Sequence, residues 1–278
     1  GIGSGYDPGR EYELHYGVNL ISYPALGAAD LSASIPDDVE GLFLAIIGQG
    51  TAAMNIDTDN SNWVGSLTHF ESELGYWVVV SEDLSFSYET GSMARAEITH
   101  YVETRPSDDI FNVVQSPHQA FYFVENITLD EGTIEDGDWL LSYNGHILTG
   151  IRQWQGVMID IPAMGLAESK QTAGYFEVGD TPSFKLLQQS TGELIPLGGD
   201  IPVWTENGIY ALSSLSEIQP IPDEFILNNA YPNPFNPVTT LEFGIPIDGN
   251  VSIEIYNLQG RLVETLADKY MKAGYHSV

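Results

Sequence analysis

The segment that most constrains the fold is residues 230–278, where prolines precede alternating apolar and polar residues. Pro232, Pro234 and Pro237 fix the backbone φ angle, so the chain enters this segment extended and non-helical. Further on, Val251–Tyr256 reads V-S-I-E-I-Y, which has the period of two expected of a strand with one buried face. The segment therefore predicts a small antiparallel β-sandwich that is built hairpin by hairpin.

Three motifs in this segment recur together in one known family: Y-P-N-P-F-N-P at 231–237, I-Y-N-L-Q-G-R-L-V at 255–263 and A-G-Y-H-S-V at 273–278. They resemble the C-terminal sorting domain of proteins exported by the bacterial type IX secretion system. The resemblance implies an immunoglobulin-like sandwich, contact with that secretion machinery, and an extracellular or outer cell-surface location. Family members continue past His276 through further strands, so we expect the sandwich to be incomplete in a chain that ends at Val278.

Composition limits the classes of partner. The chain has 9 Lys and Arg against 39 Asp and Glu, a net charge of −30, which repels nucleic acid and anionic membrane surfaces. The charge fits an adaptation to salt and solubility, and it also fits divalent ions that bridge acidic faces within or between subunits. Cysteine is absent, which excludes disulfides and thiolate metal sites, and no apolar run is long enough to span a bilayer.

Turn signals and strand patterns predict an all-β protein of tandem β-sandwich or barrel-like domains, with one short helix at Asp37–Leu44. Tyr12–Tyr23 predicts one continuous strand, and Asn144-Gly145 is the clearest hairpin signal in the chain. The phrases of the two modules also resemble modules found in large secreted proteins of the same bacterial group. The predicted parts are a Gly-rich leader (1–10), β-rich module 1 (11–100), β-rich module 2 (101–216), a linker (217–229) and the sorting-like domain (230–278).

Motifs for catalysis are missing from the sequence. The six histidines include no pair at i, i+4 and no His-Glu-x-x-His pattern, which excludes a zincin, and no Gly-x-Ser-x-Gly elbow is present. His15 and His118 stand beside aromatic residues on strand-like segments, where a hydrogen-bonded structural histidine is the common case. A Ser-His-Asp triad is assembled in space and stays open as an alternative. The sequence predicts that the chain is not an enzyme and requires no cofactor.

The best candidate for a bound ion is the run Asp57-Thr58-Asp59-Asn60-Ser61-Asn62. Oxygen side chains at close spacing suit Ca²⁺, which takes six to eight oxygen ligands. We predict a Ca²⁺ site formed by Asp57, Asp59, Asn60 and Asn62. A plain Asx-rich turn between two strands explains the same residues and stays open.

Five tryptophans offer two interpretations: Trp63, Trp77, Trp139, Trp154 and Trp204. Their rings can stack on sugars in a carbohydrate-binding module, or they can fill the β-domain cores. The sequence favours a non-enzymatic structural or adhesive protein of the cell exterior that self-associates into filaments or layers. The alternative is a set of carbohydrate-binding modules from a larger secreted enzyme, with polysaccharide as the partner.

Overall fold

The computed structural model describes residues 7, 9–89, 112–219, 221–222 and 224–278, and in these ranges the chain is dominated by β-strands. The prediction of an all-β fold is confirmed. The predicted helix is shorter than expected, since it spans Asp37–Glu40 (α2) and a strand begins at Phe43. A second four-residue helix, Leu31–Ser34 (α1), is capped by the Asp30 carboxylate, which accepts a hydrogen bond from the Ala33 amide. A 3-10 turn at Lys170–Thr172 follows later in the chain.

The chain divides into two compact units, Gly1–Glu217 and Ile218–Val278. The N-terminal unit contains the described parts of both predicted modules. Most of the predicted leader and the predicted module boundary at 100–101 lie outside the described residues, so that division stays a prediction.

In the described residues 9–89, the first half of the N-terminal unit has nine short strands. They are β1 (Glu11–Leu14), β2 (Gly17–Ser22), β3 (Ala28–Asp30), β4 (Phe43–Ile47), β5 (Ala52–Asp57), β6 (Asn62–Gly65), β7 (His69–Glu71), β8 (Gly75–Val80) and β9 (Leu84–Ser87). Five of them form an antiparallel sheet in the order β2-β8-β4-β5-β6, and β1-β9 and β3-β7 form two small pairs. Buried aromatic rings, among them Phe43, Phe70 and Tyr76, fill the core against this sheet.

The second half of the N-terminal unit, as described from residue 112 onward, has nine more strands. They are β10 (Gln119–Val124), β11 (Ile127–Thr128), β12 (Trp139–Asn144), β13 (Ile147–Gln153), β14 (Ile159–Met164), β15 (Ser183–Leu187), β16 (Leu194–Gly198), β17 (Ile209–Leu212) and β18 (Leu215–Glu217). They form a three-stranded sheet, β14-β10-β17, and a six-stranded sheet, β11-β18-β16-β15-β12-β13. The hairpin predicted at Asn144-Gly145 is confirmed, because Asn144 pairs with Ile147 and Gly145 has a φ of +59°.

The two halves of the N-terminal unit share a buried cluster. Phe121 and Phe123 on β10 pack with Ile47 on β4 and Ala52 on β5. Both aromatic side chains are fully buried. Burial of apolar surface stabilises the fold by about 25 cal/mol per Å², so this cluster, which we call the junction cluster, forms part of the core.

The described part of the C-terminal unit has five strands in two sheets. They are β19 (Ile226–Leu227), β20 (Glu242–Ile245), β21 (Gly249–Tyr256), β22 (Leu262–Met271) and β23 (Gly274–Ser277). The strands β19, β20 and β23 form one sheet, and β21 and β22 form a long hairpin. Four buried residues hold the core of this unit: Phe243, Ile245, Ala267 and Met271.

Candidate interaction surface

The β2 strand lies at the edge of the five-stranded sheet. It is hydrogen-bonded to β8 on one side, and no described strand is hydrogen-bonded to its other side. The Tyr23 amide, just beyond β2, donates to the Leu74 carbonyl at 3.2 Å. Backbone groups alternate sides along an antiparallel strand, so those of Val18, Leu20 and Ser22 point away from β8. The Ser22 carbonyl accepts a hydrogen bond from the Tyr12 hydroxyl, so we call the outward backbone groups of Val18 and Leu20 the open edge. Edge strands are commonly protected by Lys, Pro or a bulge, and β2 has none of them.

Apolar side chains lie beside the open edge. Val18 is opposite Val79 and Leu20 is opposite Trp77 in the β2–β8 register, so all four share one face of the sheet. Val18 and Leu20 are 51% and 62% exposed, whereas Trp77 and Val79 are half-buried. We call these four residues the apolar stripe. Together with the open edge, they offer an extended chain both hydrogen-bonding groups and a surface for its side chains.

A groove of about 510 Å³ separates β1 from β2. At one end the Asn19 side chain accepts from the His15 amide at 3.0 Å and donates to the His15 carbonyl at 2.6 Å. Between them Gly17 has a φ of +92°, a conformation that side-chain-bearing residues rarely adopt. The Tyr12 hydroxyl donates to the Ser22 carbonyl across the groove at 2.6 Å. The prediction of one continuous strand over Tyr12–Tyr23 is therefore wrong at His15 and Tyr16, where this turn separates β1 from β2.

Two carboxylates and one guanidinium lie among the residues that line this groove, which we call the β1–β2 groove. Glu11 and Glu13 line it from β1, and both are exposed. Asp83 accepts a hydrogen bond from the Tyr16 amide at 2.7 Å, next to the turn that closes the groove. The Arg10 guanidinium lies 5.0 Å from the centre of the Tyr12 ring, in cation–π geometry. The local charge is negative, as is the charge of the chain as a whole.

The predicted Ca²⁺ ligands lie in the turn between β5 and β6. The Asp57 carboxylate accepts from the Asp59 amide at 3.2 Å and from the Asn60 side chain at 2.7 Å, and Asp57 pairs with Asn62 across the strands. These contacts are those of an Asx-rich turn. Within the described ranges, no three side chains of the His, Cys, Asp and Glu types gather as a metal-binding group. The predicted set has two carboxylates and two amides, so it stays a prediction.

His15 and His118, the two histidines beside aromatic residues, make contacts within the fold. Apart from the bonds that its backbone makes with Asn19, His15 is an exposed residue next to the groove. His118 Nδ1 lies 2.8 Å from Glu206 Oε1, and both side chains are well exposed. The expectation that the chain is not an enzyme stays a prediction.

The tryptophans are distributed among the cores of the N-terminal unit. Trp139, Trp154 and Trp204 are buried, and Trp77 is half-buried against the junction cluster. Trp63 is half-buried, and its Nε1 donates to the buried Glu40 carboxylate at 2.8 Å. Trp63 also borders a cleft of about 240 Å³. The interpretation as core residues fits most of these rings, and Trp63 is the one that also lines this cleft.

Sequence reasoning missed a buried ion pair at the junction of the two halves. Asp160, on β14, is fully buried, and its Oδ2 accepts from Arg152 Nη2 at 2.9 Å and from the Ser66 hydroxyl at 2.9 Å. Arg152 also donates to the Gly50 carbonyl at 2.8 Å. Burial raises the pKa of the Asp160 carboxyl, while Arg152 and Ser66 act against this increase. A lone Arg in the apolar G-I-R-Q-W strand was the available signal, since a buried cation needs a partner.

Comparison with known families assigns the C-terminal segment. Residues 229–274 match the secretion system C-terminal sorting domain. Neither the curated proteins nor the solved structures contain a significant match to the chain. The predicted resemblance is confirmed, and the sorting domain directs the chain to the extracellular space or the outer cell surface. Over the described part of the chain, no helix combines the length and the apolar composition that a membrane crossing requires.

Proposed function

We propose that this chain is a non-enzymatic structural or adhesive protein of the cell exterior. The C-terminal unit delivers it through the type IX machinery, and the N-terminal unit makes the contacts that constitute its function. No cofactor is needed for this role, although Ca²⁺ at the turn that contains Asp57 and Asp59 fits it.

The observation that supports this proposal most is the open edge of β2 beside the apolar stripe. An unprotected edge strand adds strands from other chains, which is the usual hazard that soluble proteins avoid. In an exported protein, such an edge can hold the chain to another polypeptide by strand pairing. Contacts between copies would produce filaments or layers, and the net charge of −30 means that cations must screen or bridge the copies.

The assembly state of the purified full chain tests this proposal. Light scattering and negative-stain microscopy would be run in Ca²⁺ at about millimolar concentration, as for extracellular calcium modules, and then with a chelator. Ordered polymers that dissolve in chelator support a structural subunit. A monodisperse monomer in both conditions contradicts self-assembly and leaves adhesion to another molecule. Leu20→Lys should reduce assembly, whereas Leu26→Lys, at a leucine 65% exposed in a loop, should not.

A second candidate function, carbohydrate binding, is favoured by the cleft beside Trp63. Trp63 lines this cleft together with apolar residues and with four polar ones: Asp30, Ser32, Ser61 and Thr68. An aromatic face next to hydroxyls and a carboxylate is the chemistry that recognises a pyranose. A polysaccharide array tests it, with Trp63→Phe expected to weaken binding, because the smaller ring offers less stacking surface, and Trp77→Phe expected to keep it. An array without any signal contradicts this candidate.

A further inference from the structure

The open edge of β2 is flanked by two chemically different surfaces, the apolar stripe and the β1–β2 groove. A strand that adds to β2 would lie about 4.8 Å from it and would point alternate side chains to opposite faces. One set would meet the apolar stripe of Val18, Leu20, Trp77 and Val79. The other set would meet the groove, which Glu11 and Glu13 line. The groove therefore selects for an alternating sequence.

We infer that the β1–β2 groove binds an extended segment of another polypeptide in which aliphatic and basic residues alternate. The backbone groups of Val18 and Leu20 would pair with this segment, its aliphatic residues would cover the stripe, and its basic residues would face Glu11 and Glu13. This inference rests on the proposed function and deepens it, because it states the chemistry of the partner that the N-terminal unit contacts.

Where no cation screens or bridges the two chains, charge argues against a second copy of this chain as the occupant. A second copy brings the same net charge of −30 and the same carboxylates to the edge. Its own β2, G-V-N-L-I-S, carries no basic residue that could meet Glu11 and Glu13. Repulsion between like charges weakens the binding of a second acidic chain, whereas a cationic segment is attracted to the same carboxylates.

A synthetic peptide tests the inference on the full chain. The probe alternates valine and lysine over about eight residues, enough to cover a strand of ordinary length. Fluorescence anisotropy should detect binding that weakens as salt screens the carboxylates. A matched peptide with glutamate in place of lysine should not bind. Equal binding of the two peptides, or no binding of either, would overturn the inference.

Paired variants locate the binding. Glu11→Gln with Glu13→Gln should weaken the valine–lysine peptide about fivefold, since exposed ion pairs contribute modestly. Glu168→Gln with Glu193→Gln removes the same charge from exposed positions elsewhere and should leave affinity within about twofold. Equal losses in the two double variants would mean unspecific attraction to an acidic protein and would overturn the assignment to this groove.

Backbone pairing is tested from both sides. Val18→Pro removes an outward amide without touching the ladder with β8, so peptide affinity should fall at least tenfold. N-methylation of alternate peptide residues should do the same and does not depend on the variant folding. Unchanged affinity in both tests overturns strand addition. If the chain stays monomeric but binds the peptide, the result contradicts self-assembly and supports this inference. If the chain polymerises but does not bind the peptide, the result contradicts this inference and supports self-assembly.

Discussion

The two units of this chain differ in how their strands are buried. In the N-terminal unit, β10 and β14 have six residues each and are buried along their whole lengths. In the C-terminal unit, β22 has ten residues, of which only Ala267 and Met271 are buried. The longest strand pair of the C-terminal unit, β21–β22, thus occurs where little apolar surface leaves water. Because burial contributes more to stability than net hydrogen bonding does, we expect the N-terminal unit to be the more stable one.

The largest effect is expected at the buried ion pair of the N-terminal unit. Asp160→Ala removes the carboxylate beside the buried Arg152, and we expect a loss of about 3–5 kcal/mol in the free energy of unfolding. All five tryptophans lie between positions 63 and 204, so tryptophan fluorescence during urea unfolding reports on the N-terminal unit alone. Glu206→Ala, which removes the exposed partner of His118, should cost less than about 1 kcal/mol. Similar losses in both variants would show that the Asp160 contacts contribute little.

The core of the C-terminal unit should respond next. Phe243→Ala creates a cavity in a core of four buried residues, and we expect a loss of about 3 kcal/mol in that unit. Amide hydrogen exchange of β20 and β23 measures it. Leu258, fully exposed in the β21–β22 turn, is the control, and Leu258→Ala should change stability by less than about 0.5 kcal/mol. If Phe243→Ala has as little effect as the control, the small core does not hold this unit.

Alkaline pH should destabilise the N-terminal unit through its buried tyrosines. Burial raises the pKa of Tyr76 to about 12, and it also raises the pKa values of Tyr88 and Tyr122. A raised folded-state pKa favours the neutral phenol, so stability is full below about pH 10, where free tyrosine titrates, and falls as the pH rises through the folded-state values. The last rise in tyrosinate absorbance, beyond that of the exposed tyrosines, should coincide with the change in tryptophan fluorescence. Ionisation of these tyrosines without unfolding would contradict the buried positions.

The smallest effect is expected at the predicted Ca²⁺ turn. Asp57→Asn disturbs one hydrogen bond to Asn60 and should lower stability by about 1 kcal/mol or less. If Ca²⁺ binds there, it should raise the melting temperature of the unaltered chain and not that of Asp57→Asn. Asp136→Asn, in another exposed acidic turn, should keep the response. A melting temperature that Ca²⁺ does not change in any of the three proteins leaves the turn as an Asx turn.

Sequence patterns predicted the fold class because strand period and turn chemistry are local. The Asn144-Gly145 hairpin and a strand over Val251–Tyr256 both appear in the structure. The predicted buried face of that strand is only half-buried at Val251 and Ile253, and Ile255 is exposed. The break between β1 and β2 was missed, because the alternation of apolar with polar or small residues continues through His15 and Tyr16 without a proline. The Asn19 side chain and the freedom of Gly17 make that turn, and neither changes the periodicity.

The candidate surface could be predicted only in part. The acidic residues Glu11 and Glu13 are visible in the sequence, but their position beside an open edge depends on the sheet order β2-β8-β4-β5-β6. That order places sequence-distant Trp77 and Val79 next to Leu20 and Val18. The contact between Asp160 and Ser66 likewise joins residues 94 positions apart. Long-range pairing of this kind leaves no local signal.

Amide hydrogen exchange along β2 in the full chain tests the central claim most directly. We predict that the Val18 and Leu20 amides exchange quickly, because they point away from β8, while those of Asn19 and Ile21 exchange slowly. Adding the valine–lysine peptide should slow Val18 and Leu20 and leave the other two unchanged. Slow exchange of Val18 and Leu20 in the free monomeric chain would show that the edge is already covered, and it would contradict a contact surface at β2.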